Sequence, residues 1–308
     1  MMMRYSWLSR YPKVFLSVTG LRVAEFDELV KDVLPKYGEA EQERLERSER
    51  QRAVGGGHPF ELALRDHVLL TVIWLRVYAV HEVLGYLFGV SDSTVSRLIE
   101  RVLPVLEQAG RDTMRMPDPG RKRRRQLDDL LCDTPELAVV IDTFEQRVQR
   151  PRDKGKADEL FSGKKRQHTL KSQVAVDEEK GTVVDVADSV PGPTADITLL
   201  KQSRLMERLP EGLGGIGDSA YQGIAQVHPQ GLGASSRKKP YGQPRPPEDV
   251  AYNTAFSRRR IIVENIIGRF RRYQCLTQTD RNHRQLHTSR VVAVAGLVNR
   301  QIAHRLPA

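Results

Sequence analysis

The chain has 308 residues, of which 39% are hydrophobic, and it carries a formal net charge of +10 at pH 7. This length and composition exclude an intrinsically disordered protein, allow two or three modules and favour a polyanionic partner. The two cysteines lie too far apart to indicate a disulfide framework or a four-ligand zinc site, and no apolar run approaches the ~20 residues of a membrane-spanning helix. We therefore expect a cytoplasmic protein without a membrane partner.

The first predicted element is a helix. Residues 21–34, LRVAEFDELVKDVL, carry apolar side chains at helical spacing. Residues 36–59 then become highly charged and reach a run of three glycines before a proline. We interpret residues 1–59 as an N-terminal helical segment followed by a solvated, charged linker.

A helix-turn-helix domain is predicted over residues 60–116. Within residues 81–106, Gly85 supplies a small contact residue between two helices, Gly89 a permissive turn and Ser91 an N-cap. The buried stripe of the second helix is predicted to contain Val95, Leu98, Ile99 and Val102. Polar and cationic side chains then face outwards and could reach base edges and phosphates, namely Ser93, Thr94, Ser96, Arg97 and Arg101. An ordinary helical hairpin is the alternative interpretation.

Composition changes after this domain. Residues 117–134 are rich in Pro, Gly and Arg, including the run RKRRR at 121–125, and are interpreted as a basic linker. From residue 135 onwards the sequence predicts strands at 136–142, 168–178 and 181–190, a helix over 196–209, a short strand entering 215–221, and a long final basic helix. Strands followed by interleaved helices predict an α/β or α+β domain over residues 135–308.

Three carboxylates stand in separate predicted elements of this domain. Asp142 follows the apolar run LAVVI, Asp218 follows GGIG, and Glu264 lies in the helix RRRIIVENIIGRFRRY. Helical geometry displays Glu264 away from the buried face, on one stripe with Arg260 and Arg271. Each acid alone has a plain structural explanation, as a turn residue, an N-cap or an ion-pair partner.

Brought together, the three acids would have a different meaning. Converging carboxylates repel one another unless divalent cations neutralise them, and hard oxygen ligands select Mg²⁺ or Mn²⁺. Two such ions about 4 Å apart can activate a water or a 3′ hydroxyl and stabilise the leaving oxygen of a phosphodiester. The acids are therefore candidate metal ligands of a phosphoryl-transfer site.

Several stretches, covering nearly the whole chain and occurring in order, carry a family resemblance: VTGLRVAEFDELV, HEVLGYLFGVSDSTVSRLIE, VVIDTFEQRVQRP, FSGKKRQHTLKSQ, PGPTADITLL, GDSAYQG, AYNTAFSRRRIIVENIIGRFRRY and AVAGLVN. They resemble bacterial insertion-sequence transposases of the DDE superfamily, in the branch close to Harbinger-type elements. The resemblance implies an α/β fold, a ribonuclease H-like mixed sheet flanked by helices, preceded by an all-α helix-turn-helix domain. It places the family's catalytic, metal-binding acids on Asp142, Asp218 and Glu264.

The implied activity is DNA cleavage at the ends of a mobile element, with two Mg²⁺ or Mn²⁺ ions, followed by attack of the freed 3′ hydroxyl on target DNA. The partners are then double-stranded DNA, as terminal inverted repeats and target, and further copies of the chain in a homodimer or larger synaptic complex. A bacterial, nucleoid-associated location follows from the same resemblance. The alternatives are a catalytically silent DNA-binding descendant and a metal-dependent nuclease without strand transfer.

Further residues receive roles from the same comparison. The DNA strand path is expected to be lined by Lys164, Lys165, Arg166, Lys171, Arg260 and Arg271, although a solvated basic turn explains the residues around 164–171 equally well. Asp196 opens a predicted helix and is most simply its N-cap, with an auxiliary role at the active site as the second interpretation. Tyr221 is a candidate for positioning the DNA backbone.

Overall fold

A computed structural model describes residues 3–46, 62–120 and 129–305 of the chain. These residues form two units. Unit 1 contains Met1–Thr113, Arg272–Gln278 and Val292–Ala308, and unit 2 contains Met114–Arg271 and Thr279–Val291. The predicted boundary after residue 116 lies close to Thr113, where the first segment of unit 1 ends. The prediction assigns all of 135–308 to one domain, whereas unit 1 also contains Arg272–Gln278 and Val292–Ala308. The basic run at 121–125 lies outside the described residues.

Eleven α-helices and seven strands occur in the described residues. The α-helices are α1 (Tyr5–Leu8), α2 (Pro12–Thr19), α3 (Val23–Leu45), α4 (Leu64–Val77), α5 (His81–Phe88), α6 (Asp92–Arg111), α7 (Lys154–Leu160), α8 (Asp196–Ser203), α9 (Ile224–Val227), α10 (Pro247–Phe270) and α11 (His287–Ala303). The strands are β1 (Ala138–Arg147), β2 (Phe161–Ser162), β3 (Gln167–Asp177), β4 (Val183–Val186), β5 (Val190–Pro191), β6 (Gly214–Gly217) and β7 (Gly233–Ser235). None of the described helices is both long and apolar enough to cross a membrane.

In unit 1, the N-terminal helix extends further than predicted. The sequence predicts a helix over 21–34 and a charged linker after it, but α3 continues through Pro35 to Leu45. Tyr37 explains the extension, because its side chain is buried and its hydroxyl lies 3.1 Å from Nδ1 of His67 in α4. The predicted linker is therefore wrong for residues 36–45, and residues 47–59 lie outside the described part of the chain.

The helix-turn-helix geometry of unit 1 is confirmed. Gly89 ends α5 in the left-handed region with φ 66°, and the Ser91 hydroxyl accepts a hydrogen bond from the Thr94 backbone N–H at 3.2 Å. A Cβ on Gly85 would lie 2.6 Å from the Val90 carbonyl oxygen, so only glycine permits this close approach. The apolar stripe predicted for α6 is buried, from Val95 to Val102.

Two glycines explain why the end of α11 belongs to unit 1. A Cβ on Gly296 would lie 2.4 Å from Cα of Gly110 in α6, and a Cβ on Gly110 would lie 2.6 Å from the Val292 carbonyl oxygen. The two helix backbones therefore touch where neither carries a side chain. Nothing in the local sequence of either helix identifies the other as its partner.

Unit 2 is built on a mixed sheet of order β2-β3-β1-β6-β7, with β4 and β5 also paired to β3. The β3 strand is antiparallel to β1, whereas β6 is parallel to β1 and β7 is parallel to β6. Helices flank this sheet, and the mixed α/β arrangement is the predicted ribonuclease H-like fold. One core cluster joins Val139 and Ile141 of β1 to Leu200 of α8 and to Met206 beyond it.

The opposite set of β1 side chains packs towards α10. Because side chains alternate along a strand, Val140 and Phe144 point away from the cluster that contains Val139 and Ile141. The rings of Phe144 and Phe270 meet edge to face, with centroids 6.0 Å apart. The long helix α10 therefore covers the face of β1 that also carries Asp142.

A buried ion pair fixes α10 against the sheet. Arg259 donates to both carboxylate oxygens of Glu178, which follows β3, with both distances 2.8 Å. Its remaining nitrogen donates to the Thr134 hydroxyl at 2.7 Å, and Nη2 also donates to the Pro135 carbonyl at 2.8 Å. The two side chains are 5% and 6% exposed, so a bidentate pair removed from water links α10 to β3 and to the segment that leads into β1.

We predict that Arg259→Met lowers the free energy of unfolding by about 3–5 kcal/mol, because it leaves the Glu178 carboxylate buried without its partner. Urea unfolding of the full chain measures the change. The matched control is Arg258→Met on the same helix, which removes an exposed guanidinium and should cost less than about 0.5 kcal/mol. Adding Glu178→Leu to Arg259→Met should recover part of the loss, and equal effects at 258 and 259 would contradict the role of this pair.

A buried histidine joins the start of α11 to the sheet of unit 2. His287 is fully buried, with Nε2 donating to Gln146 Oε1 at 2.9 Å and Nδ1 accepting from the Ser189 hydroxyl at 2.7 Å. Burial, followed by the charge of Arg290, lowers the pKa of His287 to about 4, against a smaller opposing effect of Asp280. The imidazole therefore stays neutral in the folded protein.

This histidine predicts acid sensitivity. The unfolded chain binds the proton more tightly, so the stabilisation is complete above about pH 6.5 and is lost as pH falls towards 4. Between about pH 7.5 and 5.5 the wild type should lose about 1 kcal/mol more than His287→Gln, as urea unfolding at each pH would measure. His283→Gln removes an exposed histidine and should keep the wild-type pH dependence. A His287→Gln profile parallel to the wild type would refute the assignment.

Candidate active site

Asp142 lies within β1 rather than at its end. The sequence predicts a strand over 136–142 that stops at Asp142, but β1 continues to Arg147 because β3 pairs with it throughout, for example Thr143 with Gln173. The Asp142 carboxylate is partly exposed, at 18%, and its Oδ1 accepts the Thr143 backbone N–H at 2.8 Å. The carboxylate is thus held on the sheet face towards α10.

Asp218 follows β6, the parallel neighbour of β1. Val140 pairs with Ile216, and Asp142 and Asp218 lie two residues further along their respective chains. Asp218 also caps a short 3₁₀ turn, accepting the Ala220 backbone N–H at 2.8 Å. Parallel strands whose chains run in register therefore bring the two predicted acids to neighbouring positions on the sheet.

The electrostatics of Asp142 show how crowded this corner is. Burial raises the pKa of Asp142 to about 6, while the Arg260 guanidinium and the Thr143 backbone N–H oppose the rise. This pKa of about 6 includes a smaller upward contribution from the negative charges of Asp218 and Asp196. Three aspartates therefore share one electrostatic environment, as expected of a functional site rather than of a solvated surface.

Arg260 supplies the counter-charge, but incompletely. Its Nη2 lies 3.4 Å from Asp142 Oδ2, a long contact, and the two side chains are 12% and 18% exposed. Its Nε is buried without a hydrogen-bond partner among the described residues. A buried guanidinium N–H without an acceptor is rare in folded proteins and marks a site with unused donor capacity.

Glu264 lies outside this group of aspartates. It is exposed on α10 and makes no hydrogen bond or ion pair with any described residue, so the simple ion pair with Arg260 is absent. Arg260 nevertheless lies four residues before it, one helical turn away, and contacts Asp142. Glu264 therefore lies one turn further along the helix whose Arg260 contacts Asp142.

Asp196 belongs to the group, although not as the predicted N-cap. The N-cap of α8 is Ala195, and Asp196 instead binds Lys171 of β3, with Nζ 2.6 Å from Oδ1. The Lys171 Nζ also donates to the Thr194 carbonyl at 2.5 Å. The Lys171 side chain is only 10% exposed, so its predicted contact with DNA is corrected to a buried ion pair at the edge of the site.

Tyr221 lies beneath the carboxylates. It is fully buried, and its hydroxyl donates to Gln173 Oε1 at 3.4 Å, so the predicted direct contact with the DNA backbone is not possible in this conformation. A Cβ on Gly217 would lie 2.5 Å from the tyrosine ring, which explains the glycine before Asp218. Burial, followed by Asp196, raises the pKa of Tyr221 well above its usual range, so the hydroxyl remains neutral.

The donor chemistry at this corner suits a hard divalent cation. Asp142 and Asp218 offer the carboxylate oxygens that Mg²⁺ and Mn²⁺ prefer, and their mutual repulsion is the kind that a cation relieves. Within the described residues, however, no group of three or more His, Cys, Asp or Glu side chains is arranged to hold a metal ion. The two aspartates therefore fit such an ion, whereas the predicted set of three is not assembled.

The predicted DNA-binding residues of α6 differ in solvent exposure and in their contacts with other side chains. Ser93 and Arg97 are exposed, and Arg97 makes no ion pair with the described residues. The Thr94 hydroxyl lies 2.9 Å from that of Ser91, and the Ser96 hydroxyl donates to Glu100 at 3.3 Å. Arg101 lies 3.7 Å from Glu41. Arg97 is therefore the side chain of this set best placed to meet a phosphate or a base edge.

The basic residues predicted along the strand path also divide into groups. Lys164 and Lys165 are exposed in the turn between β2 and β3, together with Arg166, whose φ of 52° is left-handed. Arg271 is exposed at the end of α10. These four cations remain accessible, in contrast to Lys171.

Sequence reasoning missed two residues that shape the site, Arg259 and Gln173, and gave a third, Lys171, a DNA contact in place of its ion pair with Asp196. Arg259 looks like its exposed neighbour Arg258, Gln173 is one polar residue in an alternating strand, and Lys171 belongs to a basic run. Their partners lie 81, 48 and 25 residues away in sequence. Nothing in the local sequence of Lys171 identifies Asp196 as its partner.

Comparison with known proteins now identifies the family. The model of a family described as DDE superfamily endonuclease matches residues 141–299, which include Asp142, Asp218 and Glu264. The chain belongs to the DDE superfamily endonucleases. A second family model, described as the helix-turn-helix of DDE superfamily endonuclease, matches residues 60–112.

One curated relative of this DDE superfamily endonuclease extends the match over most of the chain. It is described as a probable transposase for insertion sequence element IS702 from Microchaete diplosiphon, and it is 29% identical over 255 residues. The match covers 83% of this chain and 86% of the relative. No solved structure matches the chain. The predicted transposase family with an N-terminal helix-turn-helix is thus confirmed, whereas the Harbinger-type branch stays a prediction.

We predict that Lys171→Met destabilises this endonuclease by about 3 kcal/mol, because Asp196 is left partly buried beside Asp142 without its counter-charge. Adding Asp196→Asn should recover most of the loss, since it removes the unpaired charge. Urea unfolding of the single and double variants measures both effects. Lys164→Met, which removes an exposed lysine, is the control and should change stability by less than about 0.5 kcal/mol. A double variant no more stable than Lys171→Met would exclude the charge explanation.

Proposed function

We propose that this DDE superfamily endonuclease is an active transposase, which cleaves DNA at the ends of a mobile element and joins the freed 3′ hydroxyl to target DNA. The observation that carries the proposal is that Asp142 lies on β1 and Asp218 directly follows its parallel neighbour β6, with burial raising the pKa of Asp142 to about 6. The curated relative described as a probable transposase supports the same reaction. Element ends and target DNA are then the substrates.

In this proposal Asp142 and Asp218 hold Mg²⁺ or Mn²⁺, and Glu264 of α10 completes the ligand set. Two bound ions would activate the attacking water or 3′ hydroxyl and stabilise the leaving oxygen. Arg260 has donor capacity beyond its 3.4 Å contact with Asp142 and would orient a phosphate of the scissile strand. Asp196 is held at the edge of the site by its ion pair with Lys171.

The helix-turn-helix domain would supply recognition of the element ends. Arg97 is exposed on α6, and Ser93 lies one turn before it near the helix N-terminus. Recognition helices contact base edges with residues near this end. Lys164, Lys165, Arg166 and Arg271 would add phosphate contacts that do not depend on sequence. A homodimer or larger complex follows mechanistically, since two element ends are joined in one event.

The test is cleavage of end-labelled DNA that carries the element's own terminal repeats, read from the genomic DNA flanking the gene. The full-length protein with Mg²⁺ should nick at the element ends and, with target DNA present, form joined products. Asp142→Asn, Asp218→Asn and Glu264→Gln should each reduce cleavage by at least about 10²-fold, since each removes a proposed ligand. Their affinity for DNA without added metal should stay within about twofold of the wild type.

Glu248→Gln is the matched control, because it removes an exposed carboxylate from the first turn of the same helix. It should cleave like the wild type. Binding without cleavage by the wild type would overturn the enzyme and support a silent DNA-binding protein, whereas cleavage without joined products would support a nuclease. Full activity of Glu264→Gln would remove that residue from the ligand set, as its exposed position allows.

A further inference from the structure

A basic loop without an assigned role lies between β7 and α10. We define the basic loop as residues 237–246, RKKPYGQPRP. Its lysines Lys238 and Lys239 are exposed, as is Arg245, and none of the three forms an ion pair with the residues that the structure describes. The loop therefore presents three unneutralised positive charges to solvent.

Tyr241 stands at the tip of the basic loop, fully exposed. Its ring makes no aromatic or cation–π contact with the described residues, so an apolar surface of this size is left in water. Pro240 precedes it, and Gly242 follows with a left-handed φ of 69°. The proline restricts the backbone before the tyrosine, which lowers the entropy lost there on binding, and the glycine permits the left-handed turn after it.

The root of the basic loop is fastened to α10. Asn253 clamps the backbone of Arg237, with Oδ1 accepting its N–H at 2.8 Å and Nδ2 donating to its carbonyl at 3.0 Å. The Arg237 guanidinium lies 4.0 Å from the centre of the Tyr252 ring and 3.1 Å from Asp249 Oδ1. Arg237 is thus used structurally, and the loop projects from a fixed base.

The base lies beside the carboxylates. The strand β7 is parallel to β6, and Gly217 pairs with Ser235. The backbone N–H of Ser236 donates to the Gly217 carbonyl at 3.4 Å. Asp218 follows Gly217 directly, and Arg237 follows Ser236 directly, so the basic loop leaves the sheet next to a proposed metal ligand. A strand bound at Asp218 would pass the loop.

The positive charges and the exposed aromatic ring of the basic loop indicate which class of ligand it would bind. Three free cations match the phosphates of a nucleic acid, and an exposed tyrosine offers a face on which any unpaired base can stack. Bases inside a duplex are already stacked on each other, so this face suits single-stranded DNA. An acidic protein segment would use the cations but not the ring, which makes it the weaker candidate.

We propose that the basic loop binds single-stranded DNA beside the carboxylates, with Tyr241 stacking on an unpaired base while Lys238, Lys239 and Arg245 contact its phosphates. The proposal rests on the proposed function, because it assigns the opened DNA end as the strand held there. The loop residues would bind bases that are no longer paired once the DNA end has opened. The position of the basic loop next to Asp218 is the observation that connects this inference to the proposed function.

Stacking is tested with the full-length protein in EDTA, using a duplex that ends in a single-stranded arm with 2-aminopurine at its first unpaired position. Wild-type protein should quench the 2-aminopurine fluorescence and bind this DNA more tightly than the blunt duplex. Tyr241→Ala should abolish the quenching and weaken binding to the armed DNA about tenfold, with blunt-duplex binding changed less than about twofold. Tyr241→Phe, which keeps the ring, should behave like the wild type. Wild-type quenching that persists in Tyr241→Ala, or no quenching by the wild type, would overturn the proposal.

Charge is tested separately. Lys238→Ala with Lys239→Ala should weaken binding to the armed DNA and reduce the slope of log affinity against log salt by about 1 to 2. The matched control, Lys180→Ala with Lys201→Ala, removes two exposed lysines elsewhere in unit 2 and should change neither. An equal effect of both pairs would show a general charge effect and overturn a specific site.

Cleavage assays on the same variants separate this inference from the proposed function. If the wild type cleaves element ends but Tyr241→Ala quenches 2-aminopurine and binds the armed DNA like the wild type, the loop proposal fails and the transposase proposal stands. If the wild type does not cleave but the Tyr241-dependent quenching is present, the transposase proposal fails and the single-strand site stands.

Discussion

The buried ion pair between Arg259 and Glu178 is the interaction on which the candidate site depends. It holds α10 at one rotation and one axial position against β3 and the segment before β1. Arg260, the next residue, then reaches Asp142, and Glu264 follows one turn later. A slip of one residue would turn each side chain by about 100° and carry Arg260 away from Asp142. Bidentate geometry specifies the position better than apolar packing alone, because it fixes direction as well as distance.

Charge balance is the second constraint. Asp142, Asp218 and Asp196 share a small region, and burial makes the ionised form of Asp142 costly enough to raise its pKa to about 6. Lys171 compensates Asp196 closely, at 2.6 Å, whereas Arg260 meets Asp142 only at 3.4 Å. One aspartate is therefore fixed as part of the structure and another remains weakly compensated. This difference separates a structural ion pair from a site suited to a cationic ligand.

Local patterns in the sequence predicted much of this arrangement. Alternation along β3, the apolar run before Asp142 and the glycine-rich entry to Asp218 placed these elements correctly, and the spacing of Gly85 and Gly89 identified the helix-turn-helix. The extension of β1 beyond Asp142 could not be read locally, because it results from pairing with β3. The burial of Arg259 and Lys171 was hidden for the same reason, since their partners are distant in sequence.

The helix α10 shows why its own sequence was difficult to interpret. Its 24 residues span about 36 Å, so its two ends serve different surroundings. Near its start, Asn253 and Asp249 hold the basic loop, and towards its end Phe270 packs on Phe144. Arg259 lies between these contacts and anchors the helix to the sheet. The buried positions of the helix, from Tyr252 through Arg259 to Phe270, recur at helical spacing, but a charged residue stands in the middle of this stripe. Apolar periodicity alone could therefore not identify the residue that fixes the helix against the sheet.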